Sequence, residues 1–211
     1  MFTRARMAMW GAEFLGTALL VMMALILLNT TAVSYFVATS VAVTLGLIVL
    51  LFSGISGAHV NPAITFGLWT ARRIATIQAI GYIVAQMLGA LASWKLYEYL
   101  SHNPVAAKSV TFSTSVLLAE VVGTFVLAMG IAAALVRGFE LLQAALTIGG
   151  AFFTGIMLAA VASAGLLNPA VALGVRSWST VYVLGPVVGA VVGINLYMFL
   201  FAQSVAKPKR K

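Results

Sequence analysis

Ser-Gly-Ala-His-Val-Asn-Pro-Ala, at residues 56–63, and a second Asn-Pro-Ala, at residues 168–170, are the stretches that decide how this chain folds. Asparagine is a preferred cap before a helix, and proline suits the first helical position, where a backbone N–H would lack a helical partner anyway. Only a short apolar stretch follows each Asn-Pro-Ala before charged residues interrupt it. We therefore predict two short half-helices, which begin at Pro62 and at Pro169.

The composition places these half-helices in a membrane. Hydrophobic residues make up 63% of the 211 residues and charged residues only 8%, whereas a soluble domain has about 45–50% apolar and about 25% charged residues. Six apolar runs are long enough to cross a hydrocarbon core of about 30 Å, and only helices satisfy their own backbone groups there. The runs are Ala8–Leu28, Tyr35–Phe52, Ile77–Trp94, Ser115–Val136, Leu141–Ala162 and Val181–Ala202. The predicted fold class is an all-α membrane protein with six transmembrane helices, of which the second and third only just span.

Two connections between spans differ from ordinary loops. Residues 53–73 and 163–177 are too apolar for exposed linkers and too interrupted to cross the bilayer. We expect Gly54, Gly57 and Gly165 to permit an irregular backbone ahead of the half-helices. Because polar backbone at membrane depth is tolerated only inside protein or beside a wet cavity, these connections indicate a pore.

The chain contains an internal repeat at a constant offset of 107 residues. Glu13 recurs as Glu120 and Asn61 as Asn168, and the neighbouring small residues follow the same spacing. Each copy holds three spans and one half-helix. Three is an odd number, so the second copy enters the membrane from the opposite side, which gives an inverted 3+3 repeat with its functional site near the midplane.

The repeat defines the expected domain organisation. We predict a single channel domain over residues 1–211, with repeat 1 at about 1–105 and repeat 2 at about 108–211. Small residues recur every fourth position in the third and sixth spans, which allows close helix packing. We expect crossing points between the two halves at Gly81, Ala85, Gly89, Gly185, Gly189 and Gly193.

The whole chain resembles the aquaporin (major intrinsic protein) family. The resemblance rests on the two Asn-Pro-Ala boxes, the segment at 56–63, the paired Ala-Glu-x-x-Gly-Thr motifs and Gly185-Pro186 in the last span. It implies six tilted helices with two re-entrant half-helices, one pore in each subunit and a homotetramer. The partners that it implies are water, small neutral solutes and the lipid bilayer.

The chemistry of the boxes predicts the centre of the pore. Two helix N-termini that meet at the midplane each carry roughly half a positive charge, which repels cations. The side-chain amides of Asn61 and Asn168 can both donate hydrogen bonds to one passing oxygen, and a water held in this way does not relay a proton. The candidate pore centre comprises Asn61, Pro62, Ala63, Asn168, Pro169 and Ala170.

Three further side chains are predicted to support the re-entrant loops. Glu13 and Glu120 are carboxylates inside apolar spans, where an ionisable group normally has a partner. We expect them to accept hydrogen bonds from backbone N–H groups of the loops, the scaffold role that the resemblance also implies. His59 is expected to pack against or line the cytoplasmic vestibule in a static role rather than act as a pH gate.

The predicted outer selectivity filter departs from the family's pattern. Most members carry an arginine directly after the second box, and here that position is Val171. The resemblance assigns Ile156 and Gly165 as two further contributors, and the second helix supplies Val41 without an alignment gap or Leu45 with one. Because every candidate is apolar and no fixed cation is present, we expect a constriction wider than a water-only filter.

These observations favour a passive channel for water and small uncharged solutes. The alternatives are a broad pore for glycerol, hydrogen peroxide or ammonia with poor water flux, an ion- or proton-leaky channel, and a closed structural protein. An enzyme is disfavoured, because the chain has no cysteine, only four carboxylates and no recognisable nucleophile–base pair. The sequence indicates no cofactor and no metal site.

The basic residues predict topology rather than nucleic-acid binding, although the net charge is +8. Lysine and arginine collect in loops on the cytoplasmic side of a membrane. With both termini inside, that side holds Arg4, Arg6, Arg72, Arg73, Arg137, Lys207, Lys209, Arg210 and Lys211, and the outside holds Lys95, Lys108 and Arg176. We therefore predict a multi-pass protein of the cell membrane with both termini cytoplasmic.

Overall fold

The computed structural model describes residues 3–30 and 34–202, and within these ranges it contains eight helices and no strand. The long helices are α1 (Arg4–Thr30), α2 (Ser34–Ser56), α4 (Thr76–Ser101), α5 (Thr114–Arg137), α6 (Leu141–Ala159) and α8 (Thr180–Phe201). The short helices are α3 (Pro62–Thr70) and α7 (Pro169–Gly174). All six long helices have the length and composition of membrane spans. The predicted all-α membrane fold is confirmed.

The second and third spans are longer than the apolar runs predicted. Helix α2 has 23 residues and α4 has 26, so at 1.5 Å per residue they reach roughly 34 Å and 39 Å. Helix α6 is shorter than expected and ends at Ala159, because residues 160–163 form a turn that brings Ser163 toward α5. Hydrophobicity marked the apolar centres of the spans and missed their polar ends.

The small residues of α4 and α8 pack inside each repeat, and the expectation that they cross between the halves was wrong. A Cβ added to Gly89 of α4 would lie 2.4 Å from the backbone oxygen of Phe14 in α1. A Cβ added to Gly189 of α8 would lie 2.3 Å from the backbone oxygen of Val121 in α5. The spacing shows that one face of a helix consists of small residues, and it does not show which helix packs against that face.

Other helix pairs join the two halves. Helix α2 packs against α6, α3 against α8, α4 against α7, and the two short helices also touch each other. Each short helix therefore contacts spans of the opposite repeat as well as its own. This interlocked packing fixes each half-helix against both repeats.

The half-helices begin where the sequence predicted. The side-chain oxygen of Asn61 accepts a hydrogen bond from the Ala63 N–H at 2.9 Å, and that of Asn168 accepts one from the Ala170 N–H at 2.9 Å. Each asparagine is thus the cap of its half-helix, and proline occupies the first turn. The amide NH₂ groups remain free of the capping bonds and point away from the helices they cap.

The irregular backbone ahead of the boxes involves fewer glycines than expected. Gly57 and Gly165 have φ of +91° and +64°, whereas Gly54 lies inside α2 and plays no such part. Val60 and Leu167, which are 107 positions apart, also have positive φ, at +42° and +51°. This conformation is strained for side chains of their size, so the surrounding contacts must hold it in place.

The bundle has two faces. The terminal face is where α1 begins and α2 ends, and the opposite face is where α1 ends and α2 begins. At the opposite face, the Arg176 guanidinium donates to the Val105 carbonyl at 3.1 Å and lies 4.5 Å from the centre of the Trp94 ring. The Lys108 N–H donates to the Arg176 carbonyl at 2.8 Å, so this arginine holds the segment 102–113 against α7. The basic run Lys207–Lys211, predicted to be a cytoplasmic anchor, lies outside the described residues.

Candidate pore

The two boxes meet in the interior and are joined by their asparagines. The Asn61 Nδ2 group donates to the Leu167 carbonyl at 2.8 Å, and the Asn168 Nδ2 group donates to the Val60 carbonyl at 2.9 Å. Each amide therefore binds the loop of the other repeat, with one N–H left for the lumen. Both asparagines line the same central cavity. The arrangement presents two fixed donors to one passing oxygen.

Glu13 holds the first re-entrant loop with four hydrogen bonds. Its carboxylate accepts from the Ser56 hydroxyl at 2.6 Å, the His59 N–H at 2.9 Å, the Val60 N–H at 2.7 Å and the Gln86 side-chain amide at 2.8 Å. The side chain is fully buried. An acceptor of this strength satisfies N–H groups that the left-handed backbone turns away from any helix.

Glu120 holds the second loop in the same way with fewer donors. It accepts from the Ser163 hydroxyl, from the Leu166 N–H at 3.0 Å and from the Leu167 N–H at 2.7 Å. Gly193 stands 107 positions after Gln86, so no side-chain amide adds a fourth bond. The left-handed residues Val60 and Leu167 thus direct their N–H groups to a glutamate and their carbonyls to an asparagine.

Three cavities follow one another along the axis and form the candidate lumen. The terminal vestibule, between the ends of α2 and α5 and the start of α6, has a volume of about 360 Å³. The central cavity beside the asparagines has about 10 Å³, and the opposite-face cavity has about 30 Å³. The central cavity shares His59 and Ile64 with the vestibule, and it shares Leu20 and Phe152 with the opposite-face cavity. The three cavities therefore adjoin one another in series at these side chains.

The central and opposite-face cavities are small. A cavity needs about 10–15 Å³ of volume to hold one water molecule. The central cavity therefore has room for about one water and the opposite-face cavity for about two. Leu20 and Phe152 line the opposite-face cavity together with the predicted filter residues.

The predicted outer filter residues lie together, with one exception. Val171, Ile156, Gly165 and Val41 all line the opposite-face cavity. Leu45 instead lines the central cavity, one helical turn deeper along α2. The ungapped alignment of the second helix therefore fits the structure, and the alternative with a gap does not.

Several lumen residues were missed by sequence reasoning although the repeat could have located them. Adding 107 to Val41 gives Ile148, and subtracting 107 from Ile156 and Val171 gives Val49 and Ile64. All three residues so obtained line the terminal vestibule. Every predicted filter position that lines the opposite-face cavity therefore has a repeat partner in the terminal vestibule.

His59 lies in the wall of the terminal vestibule, as expected from its position before the first box. Its ring meets the Tyr82 ring edge to face, with the centres 5.1 Å apart. The Tyr82 hydroxyl donates to the Ser56 carbonyl at 2.7 Å, which fixes this aromatic wall. Apart from the asparagines, His59 and Ser53 are the polar side chains among the residues that line the three cavities.

Two capped half-helices that face each other across a narrow lumen, inside six spans, define a membrane channel. A family model described as major intrinsic protein matches residues 3–197. The chain therefore belongs to the major intrinsic protein family, and the resemblance drawn from the two boxes is confirmed. Members of this family are passive channels, so the chain is not an enzyme.

Similar proteins support this assignment. The chain is 32% identical over 189 residues to a probable TIP-type aquaporin of Medicago truncatula, with 84% of this chain and 73% of the relative covered. It is 32% identical over 173 residues to aquaporin AqpM of Methanothermobacter marburgensis, with 71% and 70% covered. Among solved structures, the aquaglyceroporin of Plasmodium falciparum has a similar fold, with a TM-score of 0.78 at 21% identity, covering 95% of this chain and 98% of that chain.

Proposed function

We propose that this chain conducts water and uncharged molecules of similar width, and excludes ions and protons. The observation that carries the proposal is the convergence of the Asn61 and Asn168 amides on a cavity with room for about one water. A single file held at its centre by two donors passes an oxygen and interrupts a chain of proton transfer. The named relatives are aquaporins, which supports water as the solute.

Two features of the lumen support the exclusion of cations. None of the residues that line the three cavities carries a carboxylate, since Glu13 and Glu120 are buried behind the loops they hold. The half-helix N-termini contribute positive potential at the centre. A cation that enters the central cavity loses its hydration without gaining an anionic ligand, and this is strongly unfavourable.

Stopped-flow light scattering on proteoliposomes tests the proposal directly. Vesicles that contain the protein are compared with empty vesicles in gradients of an impermeant osmolyte, glycerol and salt, with a pH-sensitive dye to follow protons. We expect fast water flux with proton and sodium flux at the level of empty vesicles. Glycerol flux above water flux would support the broad solute pore, and proton flux above empty vesicles would support the leaky channel.

The Val171→Arg substitution is expected to lower water flux several-fold and to lower any residual glycerol flux. Val171 lines a cavity of about 30 Å³ in which the other contributors are apolar, so a guanidinium there narrows the passage and adds a fixed charge. Val171→Met adds length without charge and is the matched control. If both variants keep the wild-type fluxes of water and glycerol, the constriction lies elsewhere.

We further propose that the terminal face is cytoplasmic and that the protein resides in the cell membrane. The terminal face carries five basic residues among those described, at Arg4, Arg6, Arg72, Arg73 and Arg137, and the opposite face carries three, at Lys95, Lys108 and Arg176. The chain lacks cysteine, so single cysteines report orientation without interference. In intact cells an impermeant maleimide is expected to label Lys108→Cys and not Gly138→Cys, and the reverse pattern would contradict the orientation.

The proposed assembly is a homotetramer in which every subunit is a single channel domain built from repeats at about 1–105 and 108–211. Each lumen runs through one chain, so conduction does not require a neighbouring subunit. Large apolar side chains are exposed on the outer surfaces of the spans, where lipid or another subunit would cover them. Native mass spectrometry from detergent is expected to give a mass of four chains.

A further inference from the structure

His59 has its two ring nitrogens in different surroundings. Its Nδ1 atom lies 3.2 Å from the Thr65 hydroxyl oxygen. Its Nε2 atom has no hydrogen-bond partner among the described residues, and it lies on the side of Gly57, where an added Cβ would stand 3.2 Å away. Gly57 and His59 both line the terminal vestibule. The unpaired nitrogen therefore faces the solute path, and the paired one faces the protein.

The orientation of the Gln86 amide follows from its neighbours. Its Nε2 group lies 2.8 Å from the Glu13 carboxylate and 2.9 Å from the Thr65 hydroxyl oxygen. Reversing the amide would set two acceptors, the Gln86 oxygen and the Glu13 carboxylate, against each other and leave the NH₂ group without an acceptor. In the orientation with Nε2 toward Glu13, only the Gln86 oxygen lacks a partner within the described part of the chain. This costs less than the reversed orientation. Gln86 therefore donates to both Glu13 and Thr65.

The Thr65 hydroxyl must then donate to His59. Thr65 is fully buried, and its hydroxyl oxygen has two partners among the described residues, Gln86 and His59. Since Gln86 donates to that oxygen, the hydroxyl hydrogen has only the His59 Nδ1 atom as an acceptor. If Nδ1 carried a proton, the buried hydroxyl hydrogen would have no acceptor. This cost favours the tautomer without a proton on Nδ1 by about tenfold or more in population.

We propose that Thr65 locks His59 in the neutral tautomer with its proton on Nε2, which makes His59 a third hydrogen-bond donor of the lumen. In this tautomer the nitrogen that faces the water file already carries a proton. It can donate to a passing oxygen, and it cannot take a proton from the file. Thr65 acts through His59 and is a positioning residue, set in turn by Gln86 and Glu13.

The inference deepens the proposed water channel, because it adds a second point at which proton transfer is interrupted. The neighbours of the ring are consistent with a neutral imidazole. The Tyr82 hydroxyl is committed to the Ser56 carbonyl, and the Glu13 carboxylate binds the His59 backbone N–H rather than the ring. No carboxylate among the described residues accepts a hydrogen bond from either ring nitrogen.

The test uses the fact that the chain has only two histidines. His102 is exposed at the end of α4 with φ of +55°, a conformation that asparagine tolerates. His102→Asn therefore gives a single-histidine protein. Its ¹⁵N-histidine NMR spectrum in bilayers at neutral pH reports the tautomer of His59 without any flux measurement, so failure of the inference and failure of the proposed function are distinguishable.

We expect the Nε2–H form to exceed the Nδ1–H form by about tenfold or more. In the same background, Thr65→Val, which removes the hydroxyl at nearly constant shape, should raise the Nδ1–H fraction several-fold and raise proton flux. Thr65→Ser, which keeps the hydroxyl, should restore the wild-type ratio. A dominant Nδ1–H form or an imidazolium in the single-histidine protein overturns the proposal, and so does an unchanged ratio in Thr65→Val. If Thr65→Val does not fold, the tautomer ratios of the single-histidine protein and of Thr65→Ser still test the proposal.

Discussion

Glu120→Ala is expected to prevent assembly of a functional channel. The substitution leaves the Leu166 and Leu167 N–H groups and the Ser163 hydroxyl without their acceptor. Each buried donor left unpaired costs about 1–3 kcal/mol, and a protein's whole net stability is about 5–15 kcal/mol. The loss also releases the left-handed backbone at Leu167, whose carbonyl binds Asn61. We therefore expect little folded protein rather than a channel of altered selectivity.

The yield of a monodisperse peak in detergent size-exclusion chromatography, with thermal unfolding of what remains, measures this effect. Glu140→Ala is the matched control, since Glu140 is an exposed cap of α6 and its loss costs about 1 kcal/mol. Glu120→Gln keeps one acceptor oxygen, and its yield and stability should lie between those of Glu120→Ala and Glu140→Ala. Normal yield and stability of Glu120→Ala, with only its solute preference changed, would show that the carboxylate does not support the loop.

Phe152→Ala is expected to open the lumen to larger solutes. Phe152 is buried and is shared by the central and opposite-face cavities, so its removal joins and widens the two narrowest sections. We expect glycerol flux to rise by about tenfold or more, equivalent to a barrier lower by about 1.4 kcal/mol. Proton and sodium exclusion should be retained, because the asparagine pair remains in place.

Stopped-flow measurements of water and glycerol on the same vesicle preparation provide the comparison. Phe153→Ala removes the same ring one position along α6, where it packs edge to face on Tyr35 and lines none of the three cavities. This control should keep wild-type glycerol flux and so separates lumen width from general loosening of α6. Equal glycerol flux in both variants would place the barrier away from Phe152.

The residues that sequence reasoning located correctly are those with an unambiguous local or periodic signal. Pro62 and Pro169 mark the half-helix starts because a cap asparagine and a first-turn proline act within a few residues of the chain. Glu13 and Glu120 stand out because a carboxylate inside an apolar span requires donors nearby. Their partners could be placed on the loops, although the extra bond from Gln86 to Glu13 could not.

The failures have a different origin, since they depend on distances between segments. Phe152 stands 107 positions after Leu45, so the repeat could have located it. Leu20 looks like any other apolar residue of a span, and nothing marked it as a lumen residue. Gly89 and Gly189 were placed at the wrong helix pairs for the same reason. The lining beside the predicted filter residues was incomplete for the same reason, since Leu20 and Phe152 share their cavity.

The sequence by itself determined the membrane class, the six spans, the two half-helices and the inverted repeat. These properties follow from composition, caps and a fixed offset, which are local or periodic features of the chain. Only the tertiary structure decided which apolar side chains line the lumen, the choice of Val41 over Leu45 and the direction of the bonds from Gln86 through Thr65 to His59. These properties depend on which side chains from separate helices come into contact. The close packing of the assembled helices determines those contacts.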